Sequence, residues 1–85
     1  MSTDRIRVRT LFFGVYGELA GGREGTAELA SGSRVSDLVR ALRGDRGLEW
    51  IPERVVVAVN RNYAESTTSL SDGDEVALIP PVAGG

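Results

Sequence analysis

The residues best placed to do chemistry stand at the end of the sequence, where Pro80-Pro81-Val82-Ala83-Gly84-Gly85 finishes in a carboxylate borne by glycine. Glycine has no Cβ, so Gly84 and Gly85 can lie flat in a channel too narrow for any other residue. Pro80 and Pro81 hold φ near roughly −65° and favour an extended course, which removes part of the ordering entropy before a partner is met. Extended at about 3.3 to 3.6 Å per residue, Val82, Ala83, Gly84 and Gly85 would carry the carboxylate roughly 13 Å beyond the domain, the depth of a buried active site. The chemistry this suggests is delivery, with the Gly85 carboxylate handed into the active site of another protein. A frayed chain end has the same composition, and on these residues alone both readings stay open.

What the sequence lacks narrows the choice. It contains no His, no Cys and no Lys in 85 residues. The commonest general base, the thiol nucleophile and the Schiff-base amine are therefore absent, and no autonomous active site is expected. Only carboxylates remain as metal ligands, and no Asp-rich loop has the spacing of a hard-cation site, so no metal is expected either. A disulfide framework is excluded. The longest apolar run, residues 55–59, is too short for a membrane span or the core of a signal peptide, which leads to the expectation of a cytoplasmic protein that engages no membrane. A net charge of −2, with ten basic residues that are all Arg interspersed among twelve acids, gives no basic field for nucleic acid.

A chain of this length forms one domain and buries about 60% of its unfolded surface. The expected division is a folded domain over residues 1–81 and a flexible tail over 82–85. From Arg5 to Phe13 the residues alternate, with Ile6, Val8, Thr10 and Phe12 on one side and Arg5, Arg7, Arg9, Leu11 and Phe13 on the other, the period of a strand. The three arginines read as a solvated outer face rather than a phosphate-binding stripe. Residues 21–25 are turn chemistry and lead into a second strand over 26–30, making a hairpin. Val35, Leu38, Val39 and Leu42 fall at i, i+3, i+4 and i+7 and predict a helix with Ser33 as N-cap and Gly44 past its last turn. Trp50 reads as a packing residue in an irregular stretch. Residues 54–60 form a β-branched run suited to a buried strand, Asn60-Arg61-Asn62 is a turn, and residues 63–66 suit a short edge strand. Ser71-Asp72-Gly73-Asp74 turns the chain into a last strand over 75–79. The order ββαβββ points to an α+β domain with a mixed sheet and the helix on one face. Parallel pairing of the first and last strands would let the tail leave the sheet freely.

Several segments carry a family resemblance: Leu11-Phe12-Phe13-Gly14, Glu18-Leu19-Ala20-Gly21, Ala58-Val59-Asn60, and Leu70-Ser71-Asp72-Gly73-Asp74-Glu75-Val76-Ala77 running into the Pro-Pro and Gly-Gly tail. In order, spacing and terminal position they resemble the small, sulfur-carrying subunits of molybdopterin synthase, within the ubiquitin-like sulfur-carrier family. The resemblance implies a ubiquitin-like β-grasp fold. It also implies a cycle in which a ubiquitin-activating-type adenylating enzyme uses ATP to convert the Gly85 carboxylate to an acyl-adenylate, and a sulfur donor displaces AMP to leave a thiocarboxylate. Activation is needed because a carboxylate with pKa near 3.3 to 3.7 is ionised at neutral pH and resists nucleophiles. The tail then enters the large catalytic subunit, where sulfur passes to cyclic pyranopterin monophosphate; the implied assembly is a heterotetramer of two small and two large subunits. No cofactor is bound by the carrier itself, and Gly84 permits entry without acting as acid or base.

Docking should use apolar residues beside the tail. With Val76 and Leu78 facing the helix, Ala77 and Ile79 face outward, as Leu11 and Phe13 do on the first strand. Ile79, Phe13, Pro80 and Pro81 are the expected partner contacts. Members of the family often carry Arg immediately before the Glu that matches Glu18, whereas this sequence has Gly17, so an ion pair from that position is in doubt. A carrier for thiamine or cysteine synthesis would share the fold and the Gly-Gly. A ubiquitin-like covalent tag would share the activation and end in an isopeptide bond, and a noncovalent binding module would leave the Gly-Gly without a use.

Overall fold

The computed structural model describes residues 4–81. β1 spans Arg5–Phe12, and its alternation is reproduced in burial: Ile6, Val8, Thr10 and Phe12 are buried while the three arginines are exposed. It pairs antiparallel with β2 (Glu24–Ala30) on one side and parallel with β5 (Glu75–Ile79) on the other. β5 pairs antiparallel with β3 (Val56–Val59), which carries β4 (Asn62–Ala64) at the edge, so the sheet order is β2-β1-β5-β3-β4. The first and last strands are thus parallel neighbours at the centre of the sheet.

The hairpin of the first two strands holds a helix that the sequence pattern did not predict. Between them α1 (Val15–Ala20) makes a turn and a half, closed by Gly21 at φ 79°, where the Gly22 N–H donates to the Gly17 carbonyl at 2.9 Å. Six residues are too few for a periodicity to be read. Packing holds them instead: Tyr16 is buried with its ring centroid 4.9 Å from that of Trp50, which also sits 6.5 Å from Phe12. Trp50 is a half-buried packing residue whose Nε1–H donates to the Gly47 carbonyl at 2.9 Å.

The second helix, α2 (Val35–Arg43), buries Val35, Leu38, Val39 and Leu42 and ends at Gly44, as the spacing predicts. Its N-cap is Arg34, not Ser33. The Ser33 hydroxyl donates to the Ala30 carbonyl at 2.7 Å in the preceding turn, and Asp37 reaches back to accept the Arg34 N–H at 2.8 Å, the third-position half of a capping box. Helix α2 and the inner sheet face enclose one core, in which Val8, Leu38, Val76 and Leu78 are fully buried. The strand limits differ from expectation at β2, which begins at Glu24, and at β3, where ladder pairing starts only at Val56.

Candidate functional site

The side of the sheet away from α2 is divided along the strands. Cross-strand register puts Leu11, Ala77, Ala58 and Tyr63 in one row across β1, β5, β3 and β4. Because neighbours in a row share a face, two alanines stand between larger flanking side chains. The result is a shallow depression of about 440 Å³, which Phe13 and Ile79 also line and Arg61 and Glu75 border. Phe13 is 48% exposed and Tyr63 80% exposed, so the half of the face near the end of β5 presents apolar surface to solvent.

The other half is charged and internally neutralised. Arg7 meets Glu28 at 2.8 Å and Arg9 meets Glu24 at 2.6 Å, while Arg9 also lies 3.6 Å from Glu75 and Arg5 lies 3.7 Å from Glu28. The hydrogen bond from Arg7, with its charge, holds the Glu28 carboxyl below the usual carboxylate range, and the same contacts raise Arg7; a hydrogen bond from Arg9 to Glu24 raises Arg9 in turn. The arginine stripe of β1 therefore zips two strands together across solvent and leaves no row of free cations. Among the described residues, no group of three or more His, Cys, Asp or Glu side chains is placed to hold a metal ion.

The segment before β5 fixes where that strand begins. Gly73 turns at φ 87° and its N–H donates to the Arg7 carbonyl at 2.8 Å, while the Asp72 carboxylate accepts the Arg7 N–H at 2.8 Å. Asn60, at φ 50°, closes the β3–β4 turn. Its side chain accepts the Glu75 N–H at 3.0 Å and donates to Asp74 at 2.9 Å, so the Asn60 turn and the Asp-Gly-Asp turn lock against one another. The motifs Val59-Asn60 and Ser71-Asp72-Gly73-Asp74 are thus a clamp that sets the register of β5 and the place where its end leaves the sheet.

At that end Phe13 N–H donates to the Leu78 carbonyl at 3.1 Å, and Ile79 is half-buried on the same depression as Phe13. Pro80 is half-buried beside Gly14, where an added Cβ would stand 3.4 Å from Pro80 Cγ, and Pro81 is exposed. Val82, Ala83, Gly84 and Gly85, the expected threading and carrier residues, lie outside the described residues. Leu11, Ala58, Ala77 and Tyr63 belong to the same surface. The phase of β1 already put Leu11 beside Phe13; Tyr63 could be assigned only once the β3–β4 register was known. Gly17 is buried, and a Cβ there would stand 3.1 Å from Arg23 Cγ and 3.2 Å from the Phe12 carbonyl, so the stem of Arg23 lies over the position.

Residues 10–85 match the ThiS family. The chain belongs to that family. A relative in Mycobacterium tuberculosis named molybdopterin synthase sulfur carrier subunit is 42% identical, with 94% of this chain and 99% of that protein covered. A protein of the same name in Chlamydomonas reinhardtii is 35% identical over 94% of this chain and its own whole length. Among solved structures, the complex of subunits 1 and 2 of molybdopterin-converting factor from Helicobacter pylori contains a chain that matches with TM-score 0.67 and 28% identity, covering 94% of this chain and 100% of that one. SAMP1 of Haloferax volcanii matches with TM-score 0.80 and 28% identity, covering 93% and 99%. A Caldiarchaeum subterraneum ubiquitin, at 16% identity, TM-score 0.65 and coverage of 96% and 100%, shares the fold alone. The fold of this ThiS-family chain is the ubiquitin-like β-grasp.

Proposed function

We propose that this ThiS-family chain is the sulfur carrier of a molybdopterin synthase, presenting the Gly85 carboxylate to two partners in turn. The observation that carries the proposal is the continuity between the apolar half of the outer sheet face and β5, whose last residue, Ile79, leads directly into Pro80-Pro81. One docked surface would fix the direction in which the tail is delivered. The names of the relatives and the two-subunit complex from Helicobacter pylori support the assignment of the partner as a larger catalytic subunit.

In the first stage a carboxylate oxygen of Gly85 attacks the α-phosphorus of ATP on an adenylating enzyme, and pyrophosphate leaves. A sulfide equivalent then adds to the acyl carbon and expels AMP, leaving a thiocarboxylate. In the second stage the tail enters the large subunit, sulfur passes to cyclic pyranopterin monophosphate, and the carboxylate is regenerated with an oxygen from water. The carrier supplies no acid, base or metal to these steps; its share is positioning, which makes each transfer effectively unimolecular. Cytoplasmic location and assembly as two small and two large subunits belong to the same proposal. Reconstitution tests it: the thiocarboxylated chain, mixed with the large subunit and cyclic pyranopterin monophosphate, should give molybdopterin. Formation of no product with an active large subunit would contradict it.

A second reading is favoured by the similarity to SAMP1, a small archaeal modifier protein. The same activated Gly85 would then end in an isopeptide bond to lysines of other proteins. This chain has no Lys and could not build branched chains of such a tag on its own side chains.

A further inference from the structure

A second concave surface lies on the helix side of the molecule, between α2 and the β3–β4 edge of the sheet, and encloses about 610 Å³. Its floor is apolar: Val35 and Val39 of α2 meet Val55 and Ala64 there. Its rim is cationic. Arg40 and Arg43 stand one turn apart in the last turns of α2, and Arg54 faces them from the approach to β3. The single acid on the rim is Glu53.

Among the described residues, Arg40, Arg43, Arg54 and Glu53 form no ion pair and no side-chain hydrogen bond, whereas Arg5, Arg7 and Arg9 on the opposite side of the sheet are all paired with glutamates. Three unpaired guanidinium groups thus border one groove in a chain whose net charge is −2. The local charge, three positive against one negative, is opposite in sign to that of the whole molecule.

We propose that this groove binds an acidic segment of a protein partner, with apolar side chains on the valine floor and carboxylates at the arginine rim. Two features select that occupant. A free phosphate or sulfate could take the guanidinium donors of the rim but would leave the apolar floor of Val35, Val39 and Val55 without a partner, whereas a segment carrying its own apolar side chains covers it. A long polyanion such as nucleic acid would meet the repulsion of an acidic protein beyond the groove. Guanidinium groups match carboxylates in planar, bidentate geometry. Ala64 ends the edge strand β4, which among the described residues has no strand neighbour on its outer side, so an extended segment can lie along it; Ser66 closes one end of the groove, its carbonyl accepting the Ser36 N–H of α2 at 3.0 Å. The site is separate from the outer sheet face, so an occupant there would leave the apolar depression and the end of β5 uncovered.

The test is a titration of the ¹⁵N-labelled full chain, followed by amide chemical shifts, with a capped Asp-Leu-Glu-Val-Asp peptide. Saturable shifts confined to Ser36, Arg40, Arg43, Ala64 and Ser66 are expected. In the Arg40→Gln/Arg43→Gln/Arg54→Gln variant binding should weaken by about tenfold, the sum of three exposed charge contacts. The three side chains are exposed and the spectrum itself reports folding; the single Arg54→Gln variant, expected to lose about twofold, serves if the triple variant does not fold. The capped Asn-Leu-Gln-Val-Asn peptide should bind as weakly as the triple variant binds the acidic one. Absence of shifts in the groove, shifts on the Phe13 and Ile79 face instead, or unchanged affinity in the arginine variants would overturn the proposal. Equal shifts from inorganic phosphate at the same concentration would overturn it in favour of a small-anion site.

Discussion

Asn60 is the residue on which the exit of the tail most depends among those with no place in the chemistry. It holds a left-handed backbone at φ 50°, which Asn tolerates better than most side chains, and it spends both ends of its amide on the turn before β5. Asn60→Ala removes two hydrogen bonds and leaves Cβ in a disfavoured conformation. The expected cost is about 2 kcal/mol, read as a lower midpoint in denaturant at unchanged slope; a loss below about 0.5 kcal/mol, the scale of ordinary surface changes, would contradict the clamp. Gly14 is the second such position. Its φ of 54° and ψ of −132° lie in the mirror-image β region that only glycine enters freely. Gly14→Ala should destabilise by about 1–3 kcal/mol through the backbone, since the added Cβ would only touch Pro80 Cγ at 3.4 Å. Thermal denaturation checks it, and an unchanged midpoint would show that the loop adapts. The roles of Asn60 and Gly14 are hard to read from the sequence, because Asn60 depends on Asp74 and Glu75, distant in the chain, and the backbone angles of Gly14 are set by the way the chain leaves β1 for α1. Ile79 and Phe13 were legible because strand alternation alone sets their phase.

Among the elements, β1 and β2 show how a row of charges can be structural. Arg7 holds Glu28 below its ordinary pKa, and the sign of the consequence follows from that direction. A carboxylate whose folded pKa is depressed contributes stability at pH above its unfolded value and loses it as pH falls through the folded one. Glu28→Gln should therefore narrow the gap between stability at neutral pH and at about pH 3, an effect that high salt diminishes because both partners are exposed. Equal acid sensitivity in the variant and the parent would contradict the pairing. The buried face and C-terminal end of helix α2 and the whole of strand β5 were legible, the one from its i, i+3, i+4, i+7 spacing and the Gly after it, the other from a turn followed by alternation. Helix α1 was not, because it is held by Tyr16 against Trp50, two residues far apart in sequence whose contact no local pattern announces. The cap of α2 was misplaced by one residue because Ser33, a good capping type, is engaged in the preceding turn.

For the whole molecule, the outer face of the sheet combines a self-neutralised charged half with an open apolar half, and the end of β5 lies beside the apolar one. Under the proposed function, exposed Phe13 and Tyr63 belong to the surface that the large subunit would cover. Ile79→Arg would place a charge there that docking must desolvate without a partner. Affinity for the large subunit should fall by tenfold or more, while the melting temperature stays nearly unchanged because Ile79 is half-buried at the strand end. Unaltered affinity would remove Ile79 from the interface, and a collapse in stability would place it in the core. The alternation of β1 and β5 made one half of this surface visible in the sequence. Its concavity was not visible, since that requires Ala58 and Ala77 to be neighbours across two strands.

Whether Gly85 carries the sulfur can be read from the mass of the intact protein. The full chain and a variant lacking Gly85 are each incubated with the adenylating enzyme, ATP and a sulfur source. Deletion touches none of the hydrogen bonds or core contacts described here, so the variant should retain stability within about 0.5 kcal/mol. Its carboxylate would fall about 3.5 Å short, and misplacement of even about 1 Å can cost a hundredfold in rate. An oxygen-to-sulfur mass increase is expected in the full chain and none in the variant. An equal increase in both, no increase in either with an active adenylating enzyme, or recovery of the full chain only as conjugates on lysines of other proteins would contradict it.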